Sequence, residues 1–329
     1  MIKKLLLVIM LGIVTIVGCS YYLKHQASQP LNLNKPQLLT VARGQFANTI
    51  LAQLKEQKLL EHILAVKLML KVSPALASVK TGTYQLTPGM NALDVFALIA
   101  SGKEKQFAVT LVEGFRWQDW RKQLMAHPNL QVTDEFEHTA AKIAQQTNVE
   151  SLEGWLLPDT YHFTNQAPAD AIVMRAYTRM QQVLADMWLN RQQDLPYETP
   201  YEALIMASII EKETGKPDER VHIGGVFVNR LRLKMRLQTD PTVIYGLGAD
   251  YDGNIRRKDL KTATAYNTYM IKGLPPTPIA MPSKLALYAA LNPAATEDLY
   301  FVSKGDGSHY FSATLQEHNQ AVRKYQLKK

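Results

Sequence analysis

Between Thr199 and Gly215 the chain reads TPYEALIMASIIEKETG, a helix apolar on nearly every face, which obliges a domain to be built around it. Thr199 is a candidate N-cap, Pro200 suits the first helical position, and Glu202 completes a capping box. Gly215 is expected to close the far end with a left-handed turn. Leu204, Ile205, Met206, Ala207, Ile209 and Ile210 fill the interior. An acid at the end of such a helix needs a reason, because burying a charge is costly.

Two acids stand there. Glu213 follows Met206, Ile209 and Ile210 at helical spacing and continues the bulkiest apolar stripe, whereas Glu211 follows Leu204, Ala207 and Ser208, a face with smaller neighbours. Both lie where the helix dipole disfavours negative charge, Glu213 more so. Partial burial and the dipole together favour a protonated carboxyl, which is what a general acid requires. The alternative is that Glu-Lys-Glu is only a solvated helix end.

At 329 residues the chain has room for roughly two folded domains besides a tail. The single cysteine, Cys19, excludes an internal disulfide, and no Cys/His spacing suggests zinc. No cofactor is expected. The net charge of +8 suits an anionic partner. Lys and Arg are spread thinly, however, and no aromatic or Arg-Gly motif argues for nucleic acid.

From Leu5 to Leu23 the chain carries no charge and is long enough to cross a bilayer. Lys3 and Lys4 favour a cytoplasmic N-terminus with the bulk translocated, and Tyr21 and Tyr22 suit the outer interface. A cleaved signal peptide and a lipoprotein modified at Cys19 are the alternatives. A short polar linker, 26–36, follows. Helices are expected over 44–60, 63–70, 91–101 (closed by Gly102), 169–187, 201–214 and 218–235. Strands are expected over 80–86, 107–112 and 299–303, the last returning through Gly305-Asp306-Gly307 into 309–311. Residues 152–163, dense in turn formers and aromatics, read as a loop packed against a site. The fold class is α+β, in domains 37–150 and 151–329.

LEGWLLPDTY, MASIIEKETG, VFVNRLRLKMRLQTDPTVIYG, YNTY, GLPPTPIAMP and YFVSKGDGSHYFS together resemble the YceG-like family of endolytic murein transglycosylases. The resemblance covers nearly the whole chain. It implies a single-pass inner-membrane protein (residues 1–25 as anchor and short cytoplasmic end), a LysM-like membrane-proximal domain over 37–150, and a mainly helical periplasmic catalytic domain over 151–329. It implies cleavage of peptidoglycan glycan strands between N-acetylmuramic acid and N-acetylglucosamine, leaving a 1,6-anhydro end, a role in ending glycan polymerisation, and association with peptidoglycan synthases. The family's catalytic glutamate aligns with Glu213, with Glu211 as fallback.

The resemblance also raises other positions. Asp240 precedes Pro241 and reads either as an N-cap or as a carboxylate that stabilises positive charge at the sugar C1. Gln238, Thr239, Tyr245, Tyr266 and Asn267 are groups of the kind that line sugar sites. Glu219 and Arg220 are expected to pair with each other, and Arg230 and Arg236 to meet stem-peptide carboxylates. His309 has no metal-ligand spacing beside it.

Overall fold

The computed structural model describes residues 2–147 and 150–327. Its packing separates two units, one formed by the chain up to Phe107 with His162–Gln166, the other by Ala108–Tyr161 with the chain from Ala167 onward. The alternation of helix and short strand makes the fold α+β, as the mixed periodicities predict.

The first unit begins with α1 (Ile2–Ala27), whose most apolar window has a mean hydropathy of 2.3 and which is long enough to cross a bilayer. Then come β1 (Gln37–Val41), α2 (Ala47–Glu56), α3 (Ile63–Val72), β2 (Gly82–Leu86) and α4 (Ala92–Ser101). β1 and β2 run antiparallel, Gln37 opposite Leu86 and Val41 opposite Gly82. Their inward residues Leu39, Tyr84 and Leu86 join Ile50, Leu54, Val66 and Phe96 in the core. α4 is fixed locally: Asn91 Oδ1 accepts from the Leu93 and Asp94 amides, Asp94 answers the Asn91 amide, and Gly102 ends the helix at φ 72°.

Two expectations change here. The helix expected over 44–60 is only α2, because Gly44 turns at φ 83° and Phe46 is the extended N-cap. Residues 26–36 are not a free spacer. Leu31 and Leu33 are buried, Leu31 N–H donates to Met90 O at 2.8 Å and Asn32 N–H to Leu59 O at 3.0 Å. The Leu33 N–H donates to Leu31 O at 2.8 Å, a tight turn between the two buried leucines.

β3 (Gln106–Leu111) leads into the second unit, which holds α5 (Trp117–Met125), β4 (Leu130–Gln131) and α6 (Glu135–Thr147). β5 (Asp159–Thr164), expected as loop, alternates burial: Tyr161 and Phe163 are in, Thr160 and His162 out. β6 (Ala167–Pro168), α7 (Ala169–Leu189), α8 (Pro200–Glu213), α9 (Pro217–Arg232), α10 (Asp240–Leu247), α11 (Arg257–Lys261) and α12 (Lys284–Leu291) follow. The chain ends on the hairpin β7 (Tyr300–Ser303) and β8 (His309–Ser312), then α13 (Leu315–Tyr325). Residues 108–150 pack with this unit rather than with the first, so the packing divides the chain earlier than Ser151. One tie is the Trp117 amide, which donates to Glu153 Oε1 at 3.0 Å.

α8 is the axis of the second unit. Every residue from Ala203 to Glu211 is buried, and α7, α9 and α12 pack around it. Fully burying one Ile or Leu contributes about 1.5–3 kcal/mol, so this helix anchors the unit. α9 meets the α12 region backbone to backbone. A Cβ on Gly224 would lie 2.6 Å from Ala289 O, and one on Gly225 2.5 Å from Ala294 O. Only glycine permits that approach.

Candidate active site

α8 starts as its sequence dictates: Thr199 Oγ1 accepts from the Glu202 amide, Glu202 answers the Thr199 amide, and Pro200 sits in the first turn. Its far end departs from expectation. Gly215 is not a left-handed cap; Thr214 is the C-cap, extended at φ −142°, and its hydroxyl accepts from the Lys216 amide at 3.0 Å. Pro217 opens α9 and holds Lys216 extended before it, so no helical reversal is needed.

The two acids diverge at this end. Glu211 is buried and consumed. Oε1 accepts from Arg220 Nη2 at 2.8 Å, and Oε2 accepts from the Ser283 amide at 2.8 Å and the Ser283 hydroxyl at 2.5 Å. Ser283 is in turn the N-cap of α12. Glu211 therefore ties α8, α9 and α12 together. Arg220 serves it and not Glu219, which binds the His309 amide (3.0 Å) and Nδ1 (2.7 Å) instead. Adjacent helical residues do not face each other, which is why the expected Glu219–Arg220 pair fails.

Glu213, the last residue of α8, is half-buried and opens into a groove of about 590 Å³ lined by residues from α8, α9, α10, the β7–β8 hairpin and α13. Burial pushes its carboxyl up to about 7. The charge of Asp240 adds to the rise, while a hydrogen bond from Thr239 and the charge of Arg230 oppose it. Thr239 Oγ1 donates directly to Glu213 Oε1.

Distant segments hold this arrangement. Gln238 lines the groove in a left-handed conformation, φ 52°. Thr239 is buried, its amide donating to Thr268 Oγ1 at 3.0 Å, and Thr242 binds both Thr239 O (2.8 Å) and Thr268 Oγ1 (2.9 Å). Arg230 fixes the wall through backbone carbonyls, with Nε to Leu299 O at 2.6 Å and Nη1 to Leu237 O at 2.8 Å. Nε and Nη1 are thus spent on the fold, while Arg230 also lines the groove. Asp240 is the first residue of α10 rather than its N-cap, which is Thr239, and its Oδ1 accepts from Tyr269 Oη at 2.7 Å.

Three expected sugar-site residues are not brought to this groove. Tyr245 reaches Glu153 Oε2 at 3.4 Å and tilts against Tyr266, while Tyr266 Oη bonds Thr277 Oγ1 at 2.8 Å. Asn267 is buried, its Nδ2 held by Asp259 O at 2.9 Å and Thr262 O at 2.6 Å. It is a clamp for its own loop.

The groove also holds residues that sequence reasoning missed: Tyr269, Tyr300, His318 and Asn319. His318 stacks on Tyr300 with ring centroids 5.2 Å apart, and burial holds its pKa below the usual histidine value. The amphipathic period of α13 was the available signal. Glu153, equally unforeseen, is buried and pushed up to about 7 by desolvation, but lies outside this groove. Among the described residues no group of three His, Cys, Asp or Glu side chains is arranged to hold a metal ion.

The sequence profile of the YceG-like family matches residues 39–324. The chain belongs to the YceG-like family. It is 30% identical over 305 residues to a protein of Bacillus subtilis (strain 168) named endolytic murein transglycosylase, an alignment covering 87% of this chain and 84% of that one. A Streptococcus pneumoniae serotype 2 protein of the same name is 26% identical over 333 residues; the alignment covers 90% of this chain but 60% of the longer pneumococcal protein. A crystal structure of a yceG-like protein from Listeria monocytogenes superposes with a TM-score of 0.53 at 28% identity, covering 87% of this chain and 99% of that one. In this YceG-like chain the matched span runs from within β1 to the last turn of α13, and it includes Glu213 and the groove residues Gln238, Thr239, Asp240, Tyr269, Tyr300, His318 and Asn319.

Proposed function

We propose that this chain is a peptidoglycan lytic transglycosylase, a lyase that cuts within glycan strands between N-acetylmuramic acid and N-acetylglucosamine. The relatives named endolytic murein transglycosylases support the substrate and reaction class. The observation that carries the mechanism is a half-buried carboxyl, pushed up to about 7 by burial, facing a groove of about 590 Å³.

In this reading the Glu213 carboxyl gives its proton to the glycosidic oxygen as the C1–O bond breaks. The carboxylate left behind then takes the proton of the C6 hydroxyl as O6 bonds to C1, closing the 1,6-anhydro ring. One residue is acid and then base, and no water is consumed. Asp240 supplies negative charge toward the positive C1, held in place by Tyr269. Thr239 orients the acid, and Gln238 contacts sugar.

α1 anchors the enzyme in the cytoplasmic membrane with Lys3 and Lys4 inside, so that the chain beyond α1 lies in the periplasm, where nascent strands emerge beside peptidoglycan synthases. There the cut ends glycan polymerisation. The first unit serves as the LysM-like module, a reading its strand–helix–helix–strand order supports.

The test is a digest of purified sacculi followed by mass spectrometry: 1,6-anhydro muramic ends are expected from the parent and none from Glu213→Gln. A hydrolase using Asp240 to activate water is the competing reading, favoured by that carboxylate's place in the same groove as Glu213. It yields reducing muramic ends instead.

A further inference from the structure

α1 does not end in a tether. Its uncharged run stops at Leu23, and Leu23 already packs against the core of the first unit, with Ala27 fully buried in it. The element that receives this end is α3. The exposed Tyr21 and Tyr22 suit a bilayer–water interface. From Tyr22 to Ala27 a helix rises only about 7 Å, so α3 is held within roughly a turn or two of that interface.

α3 is built in an unusual way for an element of a soluble unit. One face, Ala65, Val66 and Leu70, is buried. The opposite side repeats Leu64, Leu68 and Val72 at intervals of four, a single stripe by helical geometry, and these are 69%, 37% and 79% exposed. Lys67 and Lys71 alternate with the stripe, both exposed, and α3 contains no acid. An apolar stripe edged by lysines is the pattern of a helix lying in a membrane interface, with lysines directed to anionic headgroups.

We infer that α3 is a second membrane contact: it lies in the outer leaflet interface beside α1, Leu64, Leu68 and Val72 entering the acyl boundary and Lys67 and Lys71 meeting anionic phospholipid. This rests on the reading of α1 as a membrane span and goes beyond it, because it fixes the orientation of the first unit on the bilayer. A unit held at two points cannot swing about its anchor.

The experiment uses the full chain with Cys19→Ser, carrying Leu64→Cys, Val72→Cys or Leu11→Cys, each labelled with an environment-sensitive fluorophore. The proteins are reconstituted into vesicles of phosphatidylethanolamine and phosphatidylglycerol. The labels at Leu64→Cys and Val72→Cys are expected to be shielded from aqueous iodide and quenched by nitroxides placed shallow on lipid chains, roughly 5–10 Å below the headgroup boundary. The label at Leu11→Cys should be quenched by deep nitroxides. Adding Lys67→Glu and Lys71→Glu should restore iodide access to the Val72→Cys label. Open iodide access at both α3 positions with Leu11→Cys still deep would overturn the inference and leave the anchor standing. Iodide access at all three would instead remove the anchor reading, and this inference with it.

Discussion

Glu211 and Glu213 stand two residues apart on α8, yet the protein gives them opposite surroundings. Glu211 faces inward to an arginine, a serine hydroxyl and a backbone amide, so its charge is matched on both oxygens. Glu213 faces a groove, receives one threonine hydroxyl, and has Asp240 as an unhelpful neighbour. Full pairing makes a carboxylate a structural fastener; incomplete pairing with desolvation makes it a proton donor at neutral pH. The difference arises because helical residues two apart point away from each other, one to the α9–α12 side and one to the groove.

Neutralising each acid in turn separates the two roles. Glu213→Gln should lower the turnover of glycan by about 10²–10⁴-fold, the usual worth of a positioned general acid, with the fold retained. Glu211→Ala should instead destabilise the protein by about 3–5 kcal/mol in denaturant melts, because Arg220 is left buried and unpaired. If the two variants exchange these phenotypes, the roles are reversed.

A smaller effect follows from linkage. The folded pKa of Glu213, about 7, lies above its ordinary value of 4.5. The folded state therefore binds that proton more tightly, and the resulting stabilisation is present below about pH 4.5 and lost as pH rises to about 7. Glu213→Gln should be more stable than the parent at pH 8, by up to about 3 kcal/mol from a shift of about 2.5 units at 1.36 kcal/mol each, with the gap narrowing toward pH 4.5. Equal stability at both pH values would mean that the carboxyl is not desolvated.

The smallest effect concerns the threonine. The bond from Thr239 favours the ionised carboxyl, so Thr239→Val should move the basic limb of the pH–rate profile upward by about one unit, the worth of one hydrogen bond at 1.36 kcal/mol per unit. A downward shift would contradict the assigned direction.

What could be read from the sequence was local. The capping box of α8, the Asn91–Gly102 frame of α4 and the β7–β8 hairpin are set by residues within a few positions of one another. The bulk of the stripe ending at Glu213 likewise favoured the acid that the structure sets in the groove. What escaped was set by distance along the chain. Glu211 is paired with Ser283, and Glu213 with Thr239. Tyr245, Tyr266 and Asn267 share motifs with groove residues but are turned to other partners, since neighbours in sequence can face opposite ways. The 26–36 segment looked like a spacer by composition, and two leucines at alternate positions were enough to pack it.

The proposed chemistry depends on Glu213 holding its proton near neutrality. A carbon-13 titration of the side-chain carboxyls, with Glu213 identified as the resonance absent from Glu213→Gln, measures this directly. A midpoint of about 7 is expected; a midpoint near the ordinary 4.5 would contradict the assignment of Glu213 as the proton donor.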